Sequence, residues 1–163
     1  MEAEKRASEV LFRALGEDDL DSVLALEETS FSMPWSREQY SLMLRAGACN
    51  LFGALAGSEV VAYACVSLVK AAAELEVYNI AVRADKRRQG LGQALLSTVL
   101  AAADALGVKR AVLEVRESNL AAIHLYENLG FKLGGKRRSY YTAPDEDALV
   151  YVYEWQTLPE TLK

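Results

Sequence analysis

Asn79-Ile80-Ala81-Val82-Arg83-Ala84-Asp85-Lys86-Arg87-Arg88-Gln89-Gly90-Leu91-Gly92-Gln93-Ala94-Leu95-Leu96 is the stretch from which the fold is read. Its first four residues close an apolar strand. A basic loop follows, then two glycines, then an alanine- and leucine-rich helix that runs to Gly107. The first turn of a helix leaves backbone N–H groups unpaired, and the helix dipole adds about half a positive charge there. Gly90 and Gly92 carry no Cβ, so an anion can approach the backbone closely. Lys86, Arg87 and Arg88 add mobile positive charge. The junction reads as a seat for a pyrophosphate, and equally as a basic loop capped by glycines; its surroundings decide between the two.

The ligand class narrows by elimination. A nucleotide P-loop needs a lysine after its second glycine, and none follows here. A dinucleotide fingerprint needs a third glycine where Leu95 stands. The pattern that does fit is Gln/Arg-x-x-Gly-x-Gly/Ala, filled by Arg87, Gly90 and Gly92.

Outward from this junction, strand and helix signals alternate along the whole chain. Residues 1–8 are polar and are expected to form a loose tail. Val10–Ala14 reads as a strand, and Gly16-Glu17-Asp18-Asp19 opens a helix with acids in its first turn and a stripe of Leu20, Val23, Leu24 and Leu26. Phe31-Ser32-Met33-Pro34-Trp35 is an apolar loop broken by proline. Ser36-Arg37-Glu38-Gln39 is a capping box that starts a short helix ending near Ala46-Gly47. Asn50–Ala56 and Val60–Val69 form a hairpin around Gly57-Ser58, and Leu75–Val82 is the strand that enters the junction. After the Gly90–Leu106 helix come a strand at Arg110–Val115, a helix at Asn119–Leu129 stopped by Gly130, and two strands at Lys132–Tyr141 and Ala148–Trp155. The order β-α-α-β-β-β-α-β-α-β-β predicts an α+β fold, a mixed and mostly antiparallel central sheet flanked by helices. The strand–helix–strand from Leu75 to Val115 is its expected parallel crossover.

Length and composition bound the function. The 163 residues are expected to form a single domain, 1–163, with 52% hydrophobic and 25% charged residues, as in an ordinary globule. Met1–Arg6 has no apolar core of a signal peptide, and no apolar run is long enough to span a bilayer, so a cytoplasmic protein with no membrane partner is expected. Cys49 and Cys65 lack Cys-x-x-Cys spacing and read as reduced core thiols; the lone His124 makes a metal site unexpected. A net charge of −5 disfavours direct nucleic-acid binding and favours a cationic substrate.

The polar residues that interrupt these elements are the candidates for chemistry. Ser118 or Asn119 caps the helix that follows, or Asn119 presents its amide to a ligand. Tyr126 is a core tyrosine on a helix face, or a general acid: a phenol of pKa ~10 can reprotonate an alkyl thiolate of pKa ~8.5. Glu114 and Glu76 each interrupt an apolar strand, facing either solvent or a cleft where a carboxylate accepts a proton from an attacking amine. Glu114 is the sharper candidate because it sits near the end of the strand before the Asn119–Tyr126 helix. Arg137-Arg138-Ser139-Tyr140-Tyr141 reads as an edge strand or as the wall of a substrate groove. Met33 and Trp35 read as a packed loop or as a hydrophobic lip.

Four blocks together resemble the GNAT N-acetyltransferases: Met33-Pro34-Trp35-Ser36; Tyr78–Val82 through Gln89–Leu96; Leu113-Glu114-Val115-Arg116-Glu117-Ser118-Asn119 through Ala122, then Leu125–Phe131; and Arg137–Tyr141 with Asp147-Ala148. Within that family the chain is similar to the enzymes that acetylate the N-terminal alanine of a small-subunit ribosomal protein. The resemblance implies acetyl-CoA as cosubstrate, no metal, and the basic N-terminal peptide of a ribosomal protein as partner. It implies backbone contacts to the thioester and pantetheine at Ile80, Ala81 and Val82. It implies a pyrophosphate cradle at Arg87, Arg88, Gln89, Gly90, Leu91, Gly92 and Gln93, and a cofactor-arm contact at Asn119. Glu114 matches the family's proposed base and Tyr126 its proposed acid, while Glu76 matches an acid on the same strand of related enzymes, so the base stays open between the two. Met33, Trp35, Glu76, Tyr140 and Tyr141 are the implied substrate contacts; Met33 departs from the family's common phenylalanine. Acetylation of a lysine or small amine, or a silent acyl-CoA-binding regulatory module, are the rival expectations.

Overall fold

The computed structural model describes residues 9–156, so the expected loose tail at 1–8 lies outside the described residues. Among the described residues, seven strands and four α-helices follow in the order read from the sequence: β1 Val10–Leu15, α1 Leu20–Ser30, α2 Arg37–Arg45, β2 Asn50–Ala56, β3 Glu59–Val69, β4 Glu74–Val82, α3 Leu91–Ala105, β5 Arg110–Arg116, α4 Leu120–Asn128, β6 Lys132–Tyr141 and β7 Glu146–Glu154. The class is α+β. By packing, the chain divides into two compact units: residues 9–67 with Val77–Val99, and Leu68–Glu76 with residues 100–156.

In the first unit the strand order is β1-β2-β3-β4. β1 and β2 run antiparallel with Leu15 opposite Leu51, and β2 pairs antiparallel with β3, Leu51 opposite Cys65, with a bulge at Ala54/Leu55. The turn between β2 and β3 falls at Gly57-Ser58, as the hairpin reading expects. α2 begins with the capping box: the Gln39 N–H donates to Ser36 Oγ at 3.2 Å, and the Ser36 N–H donates back to Gln39 Oε1 at 2.8 Å. Two orphan donors are thereby satisfied where the Phe31–Trp35 loop must turn. Leu20, Val23 and Leu26 of α1 pack with Tyr40, Leu51, Leu55, Tyr63 and Cys65 into one apolar cluster. The α1 stripe differs from expectation in one respect: Leu24 is only partly buried, and Glu27 is fully buried.

In the second unit the strand order is β5-β7-β6, both pairs antiparallel. Ala111, Leu113 and Val115 of β5 are buried, and the residues between them are not, so the period of two separates a core face from an open face. α4 ends at Gly130, φ +98°, where the Phe131 N–H donates to Tyr126 O at 3.0 Å and the Gly130 N–H to Glu127 O at 3.0 Å. That pair of bonds turns the chain back and buries Phe131 against Tyr126, ring centroids 5.8 Å apart. β6 is the outer strand and is exposed along almost its whole length; bulges at Leu133/Gly135 and Arg137/Tyr141 and its basic side chains keep that edge from pairing further.

Candidate active site

The glycine junction lies in the first unit. β4 ends at Val82, a single 3-10 turn spans Ala84–Lys86, and the chain then passes through two positive φ angles, Arg88 at +60° and Gly90 at +77°. The Gly90 carbonyl accepts the first helical bond, from the Ala94 N–H at 2.9 Å, so Gly90 is the residue that turns the loop into α3. A Cβ placed on Gly90 meets nothing within 4 Å, leaving that backbone open. Side chains brace the loop from within. Arg87 Nε donates to Val82 O at 2.9 Å and Gln89 Nε2 to Asp85 O at 3.2 Å. Arg83 is held between Asp85 and Glu59, at 2.6 and 2.9 Å, so its charge is spent on the protein. Arg87, Arg88, Gln89 and Gln93 are exposed, and Leu91 is half-buried; Gly92, inside the first turn, is buried. Ile80 and Val82 are half-buried on β4 and Ala81 is buried. This is a braced loop, basic at its rim, with an open backbone where a helix begins, and it fits a pyrophosphate.

The second unit gathers Glu114, Tyr126, Tyr140 and Tyr141. Opposite strand residues share a face, so Glu114 opposite Val150, and Arg116 opposite Ala148, lie on one face with Arg137, which pairs with Ala148 from the other side. Glu114 is ion-paired to Arg137 at 3.0 Å. Arg137 lies over the Tyr140 ring at 5.8 Å, and Tyr140 meets Tyr141 edge-on at 5.1 Å. Arg116 stacks over the Tyr141 ring at 4.4 Å, donates to Pro144 O at 3.0 Å and Thr142 O at 3.2 Å, and pairs with Glu146 at 3.2 Å. Burial first, then the neighbouring Tyr140 and Glu114, push the Tyr141 phenol up to about 12. Tyr126 is 5% exposed, and burial, then Tyr141, hold its phenol well above the ordinary value, so it is a neutral O–H at any physiological pH. Asn119, and not Ser118, caps α4: its Oδ1 accepts the Ala122 N–H at 3.2 Å, which leaves the amide NH₂ outside the cap. Ser118 instead donates its N–H to Glu146 at 2.6 Å. Glu76, half-buried on β4, also belongs to this unit. His124 is exposed, and among the described residues no group of His, Cys, Asp or Glu is arranged to hold a metal ion.

The apolar loop of the first unit is built on residues the sequence reading passed over. Trp35 packs on Tyr40 and Tyr78 with ring centroids 5.2 and 5.6 Å apart, and Met33 stands out at 62% exposure. Beneath them the buried Glu27 carboxylate accepts from the Trp35 N–H at 2.8 Å, from Asn79 Nδ2 at 3.1 Å, from the Tyr40 hydroxyl at 3.0 Å and from the Tyr63 hydroxyl. Burial first, with Glu27 adding to it, holds both phenols far above the ordinary tyrosine value, which keeps them protonated donors. Cys49 and Cys65 lie buried beside this cluster as free thiols, both pushed up by burial. A helical-period signal for Glu27 was present: it stands four residues after Val23 and seven after Leu20, on the apolar stripe.

Comparison with known proteins adds four findings. Residues 20–131 match the model of the acetyltransferase (GNAT) family. The chain is 38% identical over 134 residues to the [ribosomal protein bS18]-alanine N-acetyltransferase of Escherichia coli K12, a match that covers 81% of this chain and 88% of that protein. It is 31% identical to the putative enzyme of the same name in Bacillus subtilis, over 88% of this chain and 92% of that protein. The crystal structure of the ribosomal-protein-S18-alanine N-acetyltransferase from Escherichia coli superposes with a TM-score of 0.82 at 32% identity, covering 95% of this chain and 99% of that one.

Proposed function

The chain belongs to the acetyltransferase (GNAT) family and is an acetyl-CoA-dependent N-acetyltransferase; from that premise we propose that it acetylates the α-amine of an N-terminal alanine, on the basic N-terminal peptide of a small-subunit ribosomal protein. The observation that carries this reading is the 38% identity, over 81% of the chain, to a relative named for that reaction. The chemistry agrees with it. An α-amine has pKa ~8 and a lysine amine ~10.4, so the α-amine reaches its nucleophilic form far more readily near neutral pH. A net charge of −5 draws a basic peptide with a salt-sensitive on-rate.

The residue roles follow from chemistry and family likeness. Acetyl-CoA supplies the thioester carbon that the free amine attacks directly. The Arg87–Gln93 loop holds the pyrophosphate through backbone N–H groups, and Asn119 offers its amide NH₂ to the cofactor arm while its oxygen caps α4. The backbone of Ile80 to Val82 lines the thioester, and an N–H near Val82 polarises its carbonyl. Glu114 takes the proton from the amine. Its ion pair with Arg137, which is 57% exposed, gives way to the incoming cationic amine. Tyr126, kept neutral by burial, protonates the leaving sulfur. Met33, Trp35, Tyr140 and Tyr141 contact the peptide, and Glu76 is either a further substrate contact or the base in place of Glu114. Holding two substrates in line supplies much of the rate.

The test is a competition between an Ala-Arg-initiated peptide and the same peptide blocked at its N-terminus with an internal lysine free. Acetylation of the first only, with dependence on acetyl-CoA, is expected. Comparable kcat/KM on the blocked peptide sinks α-amine specificity in favour of a lysine or small-amine enzyme.

A further inference from the structure

A carboxylate removed from water is costly unless it is hydrogen-bonded on all sides, and a well-packed apolar residue in its place is often as stable or more so. Glu27 has no solvent exposure and stands on the apolar stripe of α1, where helical period alone calls for a residue such as leucine. What the carboxylate does that leucine cannot is fix directions. Its Oε1 accepts the backbone N–H of Trp35, in the loop, and Asn79 Nδ2, on β4. Its Oε2 accepts Tyr40 from α2 and Tyr63 from β3. Asn79 also donates to the Tyr40 hydroxyl at 3.2 Å, which closes the network. One side chain thus ties the loop and α2 to the two neighbouring strands, and Asn79 is the residue immediately before Ile80. Above this tie the Trp35 ring lies on Tyr40 and Tyr78, beside the exposed Met33.

We propose that Glu27 is a positioning residue for the peptide substrate: it holds the Met33–Trp35 lip in register with the cofactor-lining strand β4, and so sets where the first residue of the peptide sits. The inference rests on the assignment of Met33 and Trp35 as peptide contacts. It separates Glu27 from the proton-transfer groups, because the carboxylate is fully buried and enclosed by donors of its own unit. A loosened lip weakens peptide capture without changing acetyl-CoA capture.

Two variants test it, each made in a Trp155→Phe background so that Trp35 is the only tryptophan. Glu27→Gln keeps the shape but turns one acceptor oxygen into a donor that faces other donors. Tyr63→Phe removes one donor and leaves the ring in place, and it carries the comparison if Glu27→Gln does not fold. Steady-state kinetics on the Ala-Arg peptide and acrylamide quenching of Trp35 are measured for each. The expected result is a peptide KM raised roughly tenfold, kcat and the acetyl-CoA KM within about twofold of the parent, and increased quenching of Trp35. A fall in kcat at unchanged peptide KM overturns the proposal, as does an unchanged KM with unchanged quenching. If the parent itself fails to acetylate the peptide, it is the substrate reading that fails. The quenching measurement then still decides the tie: increased quenching supports it, and unchanged quenching refutes it.

Discussion

Gly90 and Gly107 form a matched pair that isolates ligand contact from backbone strain. Both have φ +77°, and a Cβ added at either meets nothing within 4 Å. One opens α3 and the other ends it: the Gly107 N–H donates to Asp104 O at 2.9 Å and the following Val108 N–H to Ala103 O at 3.1 Å. An alanine at either position is placed in the left-handed region, at a cost of about 1–2 kcal/mol. For a chain of this size that lowers Tm by roughly 2–8 °C. The two variants should therefore unfold at similar temperatures. On the proposed pyrophosphate assignment, only at Gly90 does the added methyl enter the space where the ligand would meet the backbone. Loss of one charge-assisted backbone hydrogen bond is worth about 1.5–3 kcal/mol, or roughly a ten- to hundredfold rise in Kd for acetyl-CoA. Thermal unfolding and titration calorimetry read the two effects separately. If folded Gly90→Ala binds acetyl-CoA as tightly as the parent, or if Gly107→Ala weakens binding as much, the pyrophosphate assignment of the loop is wrong.

Glu114→Gln and Tyr126→Phe should each lower kcat by about 10²–10⁴-fold with acetyl-CoA affinity nearly unchanged, measured by thioester turnover. Full turnover in Glu114→Gln together with loss in Glu76→Gln moves the base to Glu76. Asn119→Ala should cost about 1 kcal/mol of stability through the lost cap, whereas Asn119→Asp keeps the cap and removes the amide donors. Weakened acetyl-CoA binding in a stable Asn119→Asp variant supports the cofactor contact, and unchanged binding reduces Asn119 to a cap. Tyr40, Tyr63 and Tyr126 all have phenols raised above the ordinary value of 10.0 in the folded state, burial being the first cause. The unfolded chain therefore releases these protons first, and stability present below pH ~10 falls as the pH rises beyond it, by up to about 1.4 kcal/mol per pH unit per tyrosine. Chemical denaturation between pH 9 and 11 should show that decline, and Tyr126→Phe should make it shallower.

The elements and their ends were legible because the interactions that set them are local. A capping box spans the four residues Ser36–Gln39, and a helix end closed by glycine uses carbonyls only a few residues back, as where the Gly130 N–H meets Glu127 O and the Phe131 N–H meets Tyr126 O. The glycine junction is likewise contained in one short stretch, so its shape and its positive rim could be read before any packing was known. The candidate residues on β5 and α4 were visible as polar breaks in apolar patterns. Their partners were not. Glu114 meets Arg137 from 23 positions away because β7 lies between their strands and brings Ala148 opposite both Arg116 and Arg137. Asn119 caps α4 locally, but the partner of the Ser118 N–H is Glu146, on a distant strand that no local pattern names. Glu27 shows the same division most clearly. Its place on the buried face of α1 follows from helical period alone, but periodicity treats an acid on an apolar stripe as an interruption. What makes its burial tolerable is the convergence of Trp35, Tyr40, Tyr63 and Asn79, up to 52 residues away in sequence. Local sequence determines which backbone groups a segment must satisfy. Only the tertiary fold decides which distant side chains satisfy a buried charge, because that depends on which strands become neighbours and in what register.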